Sequence, residues 1–330
     1  MSKIAVIGAG AWGTAIAQNL AVHGNDVAIW ARESEVVTAI NENHENTVFL
    51  KDIALDEKII ATGSLFEAVE AADVIMIVTP AQALRSVCVG IRSKAIIGKP
   101  VVLCSKGFEI GTGMMLSAIA KEELPDNPIA IMTGPTFASE VAKGLPCAVT
   151  LAAETKDIAK EIRDLIGTKK LRPYVTDDLI GTQIGSAIKN VLAIASGIVI
   201  GKGLGESARA ALITRGLSEM ARLTSAMGGR KETLMGMCGM GDLMLTATSM
   251  QSRNYSFGYA LGQGETIDEF LSQRNAVTEG YHTSKALMVL AKKQAVEMPI
   301  CEMVYSILHE GVSLDEAVDG MLSRPFGTEA

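Results

Sequence analysis

Hydrophobic positions along this chain change texture near residue 180. Before that point, short β-branched runs alternate with helical stretches. Lys3–Ile7, Asp26–Trp30, Ala72–Val78, Pro100–Cys104 and Pro128–Thr133 read as strands, with Cys147–Leu151 and Tyr174–Thr176 as weaker candidates. Runs this apolar suit a buried parallel sheet with helices on both faces. From Leu179 onward strand patterns nearly vanish and a 3.6-residue period takes over. Ser207–Gly229 is an amphipathic helix closed by two glycines, and residues 266–275 and 282–296 read likewise. Ser313 is an N-cap for a last helix. The expected fold is an α/β Rossmann-type doubly wound domain over residues 1–179 followed by an all-α domain over residues 180–330. Neither a repeat nor a low-complexity linker is visible.

The first strand runs into Gly8-x-Gly10-x-x-Gly13 and then into a helix ended by His23-Gly24-Asn25. In a strand–turn–helix context these glycines make a dinucleotide loop. The first permits the tight turn, the second lets the backbone approach a pyrophosphate, and the third lets helix and strand pack closely. The helix then directs its first amides at the phosphate. A second strand that serves NAD usually ends in an acidic residue for the ribose hydroxyls. Here DVAIWARES brings Arg32 first and Glu33 second. Arg32 either holds a 2′-phosphate, which leans the cofactor toward NADP or toward acceptance of both NADP and NAD, or is a plain surface charge.

SAIKNVLAIASG, Ser186–Gly197, raises a different question. On a helix, Ile184, Ile188, Val191, Ile194, Ala195 and Ile198 share one side. Lys189 stands on the other with Thr182, Gly185, Ser186, Ala193 and Ser196, and residues 181–201 hold no other charge. That face is either solvated, as most lysines are, or kept small so that something can approach the amine.

Composition narrows the classes. The 330 residues are 48% hydrophobic and 20% charged, which argues for sizeable cores and against general disorder. A net charge of -7 opposes nucleic-acid or acidic-membrane binding, so an anionic ligand needs a local positive site. Cys88, Cys104, Cys147, Cys238 and Cys301 form no CxxC pair and are expected as buried thiols in a reducing cytoplasm. The four histidines are scattered without a metal-binding spacing, and no metal is expected. Ala15-Ile16-Ala17 imitates a signal-peptide cleavage site, but glycines break the run before it. The apolar run from Val191 to Gly201 falls short of the ~20 residues that span a bilayer, so a soluble, cytoplasmic protein is expected.

Candidate ligand contacts lie beyond strand ends, where open α/β sheets bind. Lys106 follows one strand, and Gly134-Pro135-Thr136 follows another. Thr136 is alternatively the N-cap of a helix through Ala138, Glu140 and Val141. Further on, Asp242 follows Gly236, Gly239 and Gly241 in apolar company. Ser252-Arg253-Asn254 offers a hydroxyl, a guanidinium and an amide, a set suited to phosphate oxygens. The other possibility is a polar loop capping a helix.

These blocks together carry a resemblance. GAGAWGTAIA, SKGFE, GPTFASEVAKGLPCAVTLA, IKNVLAIASGIVIGKGLGESARAALITRGLSEM, GMCGMGDLMLTATSMQSRN and AVTEGYHT span nearly the whole chain. The chain resembles the bacterial NAD(P)-dependent sn-glycerol-3-phosphate dehydrogenases. The resemblance implies interconversion of dihydroxyacetone phosphate and glycerol 3-phosphate, run toward the latter for phospholipid synthesis, in a homodimer. It implies Lys189 as catalytic acid/base, and Lys106, Gly134, Thr136, Lys189, Asp242, Ser252, Arg253 and Asn254 as substrate contacts. It also implies Gly8, Gly10, Ala11, Trp12, Gly13, Arg32, Lys106, Ala138, Arg253, Val277 and Glu279 as cofactor contacts. Ser186 and Thr278 depart from the glycine and the aliphatic residue frequent there, which bears on cleft shape.

Reducing a ketone leaves a developing alkoxide, and a nearby ammonium can stabilise it and donate its proton. Burial lowers a lysine toward working pH, and a phosphate dianion raises it again. Asp242 would orient the lysine or bind a hydroxyl, while Ser252, Arg253 and Asn254 hold the phosphate. Two alternatives use the same architecture. One is a lysine-dependent reductase of a keto or hydroxy acid, which needs a carboxylate site. The other is a non-catalytic NAD(P)H sensor, which needs a partner-binding element.

Overall fold

The computed structural model describes residues 2–272 and 278–325. Among them are β1 (Lys3–Ile7), β2 (Asp26–Trp30), β3 (Ile59–Thr62), β4 (Val74–Ile77), β5 (Val101–Leu103), β6 (Ile129–Thr133), β7 (Cys147–Ala153) and β8 (Leu171–Thr176). They form one sheet in the order β3-β2-β1-β4-β5-β6-β7-β8. Neighbours run parallel except β6 and β7, which are antiparallel. Side-chain alternation splits the core between two faces. Ile4 and Val6 pack with Ile16 and Leu20 on one side, and Ala5 and Ile7 pack with Leu84 and Cys88 on the other. β3 is absent from the sequence expectation; it is a four-residue edge strand whose Ile60 points outward. β8 begins at Leu171 rather than Tyr174, because Arg172 and Pro173 interrupt the apolar pattern.

Two other expectations change. Thr136 is not a helix N-cap; the short helix Ala138–Ala142 is capped from Phe137, and the Thr136 hydroxyl donates to the Gly134 carbonyl at 3.3 Å. Cys147 is only half-buried, whereas the other four cysteines are buried. Burial pushes the Cys88 and Cys104 thiols up to about 12 and Cys147 to about 11. The long apolar helix runs from Leu179 to Gly201, beginning where the 3.6-residue period takes over. At 23 residues it is long and apolar enough to cross a membrane by length and composition, yet 94% of its most apolar window is buried within the protein.

This central helix is the axis of the second half. Asp178 caps it by accepting the Gly181 amide at 2.9 Å. The same carboxylate accepts the Arg230 amide and the Thr233 hydroxyl, tying the helix start to the segment that leads to Asp242. Along its length the helix Arg253–Gly262 crosses it backbone to backbone. Gly197 and Gly201 face Gly258 and Gly262, and a methyl on Gly258 would collide with the Ile194 carbonyl. Two four-residue glycine spacings thus bring the axes closer than ordinary side chains allow. Around this pair pack Glu206–Ala226, Asp242–Ala247 and Glu279–Gln294, with Ser313 capping Leu314–Leu322 as expected.

The crossing makes a testable difference between glycines. Gly258→Ala overpacks a backbone contact and should cost at least the ~1–3 kcal/mol typical of forced insertions. Gly320, in the last described helix, has nothing within 4 Å of where a methyl would stand. Gly320→Ala should raise stability by up to ~1 kcal/mol through helix propensity. Thermal midpoints of the two variants should move in opposite directions.

Candidate active site

Two sets of loops meet at the carboxyl edge of the sheet. After β1 the chain turns at Gly8, whose φ of +119° lies in the region that favours glycine. A side chain on Gly13 would collide with the Gly8 carbonyl, so glycine there lets the helix Ala11–Val22 start directly over the strand. Gly10 faces open space, with nothing within 4 Å of where a Cβ would stand. The first i→i−4 bond of that helix is Thr14 N–H to the Gly10 carbonyl at 2.9 Å, so the amides before it have no intrahelical acceptor. An open, amide-rich turn of this kind fits a pyrophosphate. Trp12, Ala11 and Ala138 border one small apolar cluster built on Ala15, Leu50, Val141 and Ala142. Arg32 is exposed, and its Nε and Nη2 both reach Glu33 Oε1, at 3.1 and 2.8 Å. Val277 lies outside the described residues.

From this turn a chain of contacts leads into the helical half. Gly8 abuts Val78 and Thr79 at the end of β4. Beyond Pro80, the Ala81 amide donates to the Glu279 carboxylate, and Gly107 sits against Ala81 and Thr283. Burial raises the Glu279 carboxyl to about 7, opposed by Arg253, the Ala81 amide and Lys106. Gln82 clamps the loop after β5 by donating to the Phe108 carbonyl at 2.8 Å and accepting the Ile110 amide at 2.9 Å. Lys106 is held in that loop.

Lys189 is buried, and the small residues around it make room for protein rather than solvent. Gly185 lies against the Cys238 carbonyl, and Ser196 donates to the Ala247 carbonyl at 2.6 Å. A single π turn, Met237–Gly241, leads straight into Asp242 at the start of the helix Asp242–Ala247. Such turns concentrate at functional sites. The turn is fixed to the sheet by the Cys238 amide, which donates to Thr150 Oγ1 at 3.2 Å. Lys189 Nζ then donates to Asp242 Oδ1 at 2.5 Å and to Thr246 Oγ1 at 2.8 Å. Lys106 Nζ reaches Asp242 Oδ2 at 3.1 Å. One buried carboxylate thus bridges two lysines from different halves of the chain. Burial lowers Lys189 to about 7, Asp242 pulls it back up, and the Lys106 charge pushes it down again.

Other sequence candidates have local duties. Ser252 is the N-cap of Arg253–Gly262 and accepts the Tyr255 amide at 3.2 Å, so the capping alternative describes its hydroxyl. Asn254 accepts the Gly280 amide at 2.9 Å and donates to Asn190 Oδ1 at 3.0 Å, next to Lys189. Arg253 is exposed beside Glu279. Gly134 is pressed against Val149 and the Ala148 carbonyl of β7, so packing alone requires glycine there. Ser186 donates to the Gln183 carbonyl at 3.0 Å, and Thr278 precedes its helix without a side-chain cap bond. Thr246 and Asn190 join the site without having been expected from the sequence. Thr246 follows Asp242 by four residues, the spacing of neighbours on a helix face. Asn190 adjoins the lysine in sequence, but nothing there marks its tie to Asn254.

Comparison with known proteins bears on this geometry. Family models described as the NAD-dependent glycerol-3-phosphate dehydrogenase N-terminus and C-terminus match residues 3–159 and 178–319. A glycerol-3-phosphate dehydrogenase (NAD(P)+) of Parvibaculum lavamentivorans is 52% identical over 327 residues, covering 99% of this chain and 98% of that one. The protein of the same name from Rhodospirillum rubrum is 50% identical, covering 100% of this chain and 94% of the relative. The crystal structure of glycerol-3-phosphate dehydrogenase from Coxiella burnetii superposes with a TM-score of 0.92 at 38% identity, covering 98% of this chain and 99% of that one. With both halves matched and relatives this similar along nearly the full length, the chain belongs to the NAD-dependent glycerol-3-phosphate dehydrogenase family.

Proposed function

We propose that this protein interconverts dihydroxyacetone phosphate and sn-glycerol 3-phosphate with a nicotinamide dinucleotide, and that Lys189 is its proton donor and acceptor. The observation that carries this reading is the buried Lys189–Asp242–Lys106 array at the carboxyl edge of the sheet. The bound cofactor supplies or accepts the hydride at the substrate C2 carbon. Lys189 gives its proton to the C2 oxygen as negative charge develops there, and takes it back in the reverse direction. Asp242 holds the amine in place and Thr246 accepts a second of its hydrogens, which leaves the third for substrate. Lys106, with Ser252, Arg253 and Asn254, meets the phosphate and hydroxyl groups, consistent with the cation such an anion requires in an acidic protein. The reaction runs toward glycerol 3-phosphate for glycerophospholipid synthesis in the cytoplasm, by a homodimer. Arg32 supports acceptance of NADPH.

The first test is oxidation of NADPH by dihydroxyacetone phosphate, compared with unphosphorylated dihydroxyacetone and with NADH. Turnover that requires the phosphate is expected; NADPH binding without turnover would sink the assignment. Lys189→Met should lower kcat by at least ~10²-fold while leaving cofactor affinity unchanged.

The pH dependence has a definite sign. Ketone reduction needs the protonated amine, so its kcat/KM should fall as pH rises through about 7, and alcohol oxidation should rise through the same limb. Asp242 raises Lys189, so Asp242→Asn should move that limb to lower pH. A limb that stays in place in this variant would show that another group titrates.

Arg32→Ala should raise KM for NADPH roughly tenfold, the loss of one charge-assisted hydrogen bond, with little change for NADH. Equal effects on both would leave Arg32 as a surface charge.

A further inference from the structure

The loop between the helix Ser34–Asn43 and β3 contains none of the site residues named above. It holds Asn46, which is 1% exposed in a chain segment otherwise largely at the surface. Both hydrogens of its amide are spent on the glycine turn. Nδ2 donates to the Ala9 carbonyl at 2.9 Å and to Thr14 Oγ1 at 2.8 Å. Its Oδ1 accepts the Phe49 amide at 3.1 Å, which fixes which way the amide faces. The Thr14 hydroxyl closes the triangle by donating to the Ala9 carbonyl at 3.2 Å.

Ala9 is the residue between Gly8 and Gly10, and Thr14 lies in the first turn of the following helix. Asn46 therefore braces both arms of the turn from beneath. The consequence follows from peptide geometry. In a planar trans peptide the carbonyl and the next N–H point in opposite directions. Two donors draw the Ala9 carbonyl inward, so the Gly10 N–H is turned away from Asn46. Gly10 is also the position where a Cβ would meet nothing within 4 Å.

We propose that Asn46 is a positioning residue for the cofactor: by holding the Ala9 carbonyl it presents the Gly10 amide to the dinucleotide pyrophosphate. This rests on the glycine turn being the cofactor site. Gly8 and Gly13 make the turn possible, but neither selects the orientation of the peptide between Ala9 and Gly10. Asn46 does, from a loop distant in sequence, and Thr14, which Asn46 orients, is the second donor to the same carbonyl.

The test is cofactor affinity in the full-length protein, read from quenching of tryptophan fluorescence by NADPH, alongside steady-state kinetics. Asn46→Ala should raise Kd and KM for NADPH roughly tenfold, the loss of one or two buried hydrogen bonds. KM for dihydroxyacetone phosphate and kcat at saturating cofactor should stay within about threefold, a split that general loosening of the fold does not produce. Asn46→Asp should be worse, because a carboxylate faces the Ala9 carbonyl with nothing to donate. If the Asn46 variants fail to fold, Thr14→Val removes the second donor to the Ala9 carbonyl and the acceptor that orients Asn46, and Thr14→Ser should restore affinity by restoring the hydroxyl. Unchanged NADPH affinity in a folded Asn46→Ala, or in Thr14→Val, overturns the proposal. Gly10→Val separates it from the reading beneath it. This variant places its side chain in open space, so it should fold and lose NADPH binding. Retained binding would sink the glycine-turn reading and the proposal together. Lost binding in Gly10→Val with unchanged binding in Asn46→Ala would sink the proposal alone.

Discussion

A lysine amine inside a protein is costly unless something compensates it, and the second half of this molecule is arranged around that constraint. Lys189 is buried on a helix with no other charge, and its compensation comes from a carboxylate 53 residues away in sequence. Bringing Asp242 there takes three devices. Small residues on the lysine face let other backbone approach. A π turn aims the aspartate from the start of its own helix. The Thr150 hydroxyl ties that turn to the sheet. Each is locally unfavourable or neutral by propensity, as expected where a site rather than stability decides the residues.

The same constraint joins the two halves. Asp242 takes Lys189 with one oxygen and Lys106 with the other, so the helical half and a loop beyond β5 share one carboxylate. A second joint lies at Glu279, which accepts the Ala81 amide from beyond β4 and sits near Arg253 and Lys106. The strand-end loops and the helical half are thereby linked through contacts a few atoms long. Displacing Lys106 would alter the charge around both Lys189 and Glu279.

The sheet was legible because parallel strands carry uninterrupted β-branched runs, and the glycine turn because its spacing follows a strand. β3 was not, since a four-residue edge strand bears little apolar signal. In the site, the charged members could be read from the incongruity of their setting: Lys189 alone in an apolar helix, Asp242 after three glycines. Of the neutral members, Ser252 and Asn254 could be read only because Arg253 stands between them, and three others could not be read at all. Thr246, Asn190 and Asn46 act through partners far away in sequence, and a threonine or asparagine in a polar-looking stretch gives no sign of burial. Thr136 misled because a threonine before a helix suits both a cap and a loop, and here the cap position falls one residue later.

The central helix has one more consequence, which concerns the chain before it is folded. Much of its cover, Asp242–Ala247 and Arg253–Gly262, is encoded after it, so during synthesis it emerges before these helices exist. At that stage it has the length and apolar character of a membrane anchor. What distinguishes it is Lys189, eleventh of its 23 residues. A lysine at the centre of a bilayer-spanning segment costs about 2.5–3.5 kcal/mol on insertion scales. The one charge that the folded helix compensates with Asp242 is also the one that disfavours insertion of the nascent segment into a bilayer.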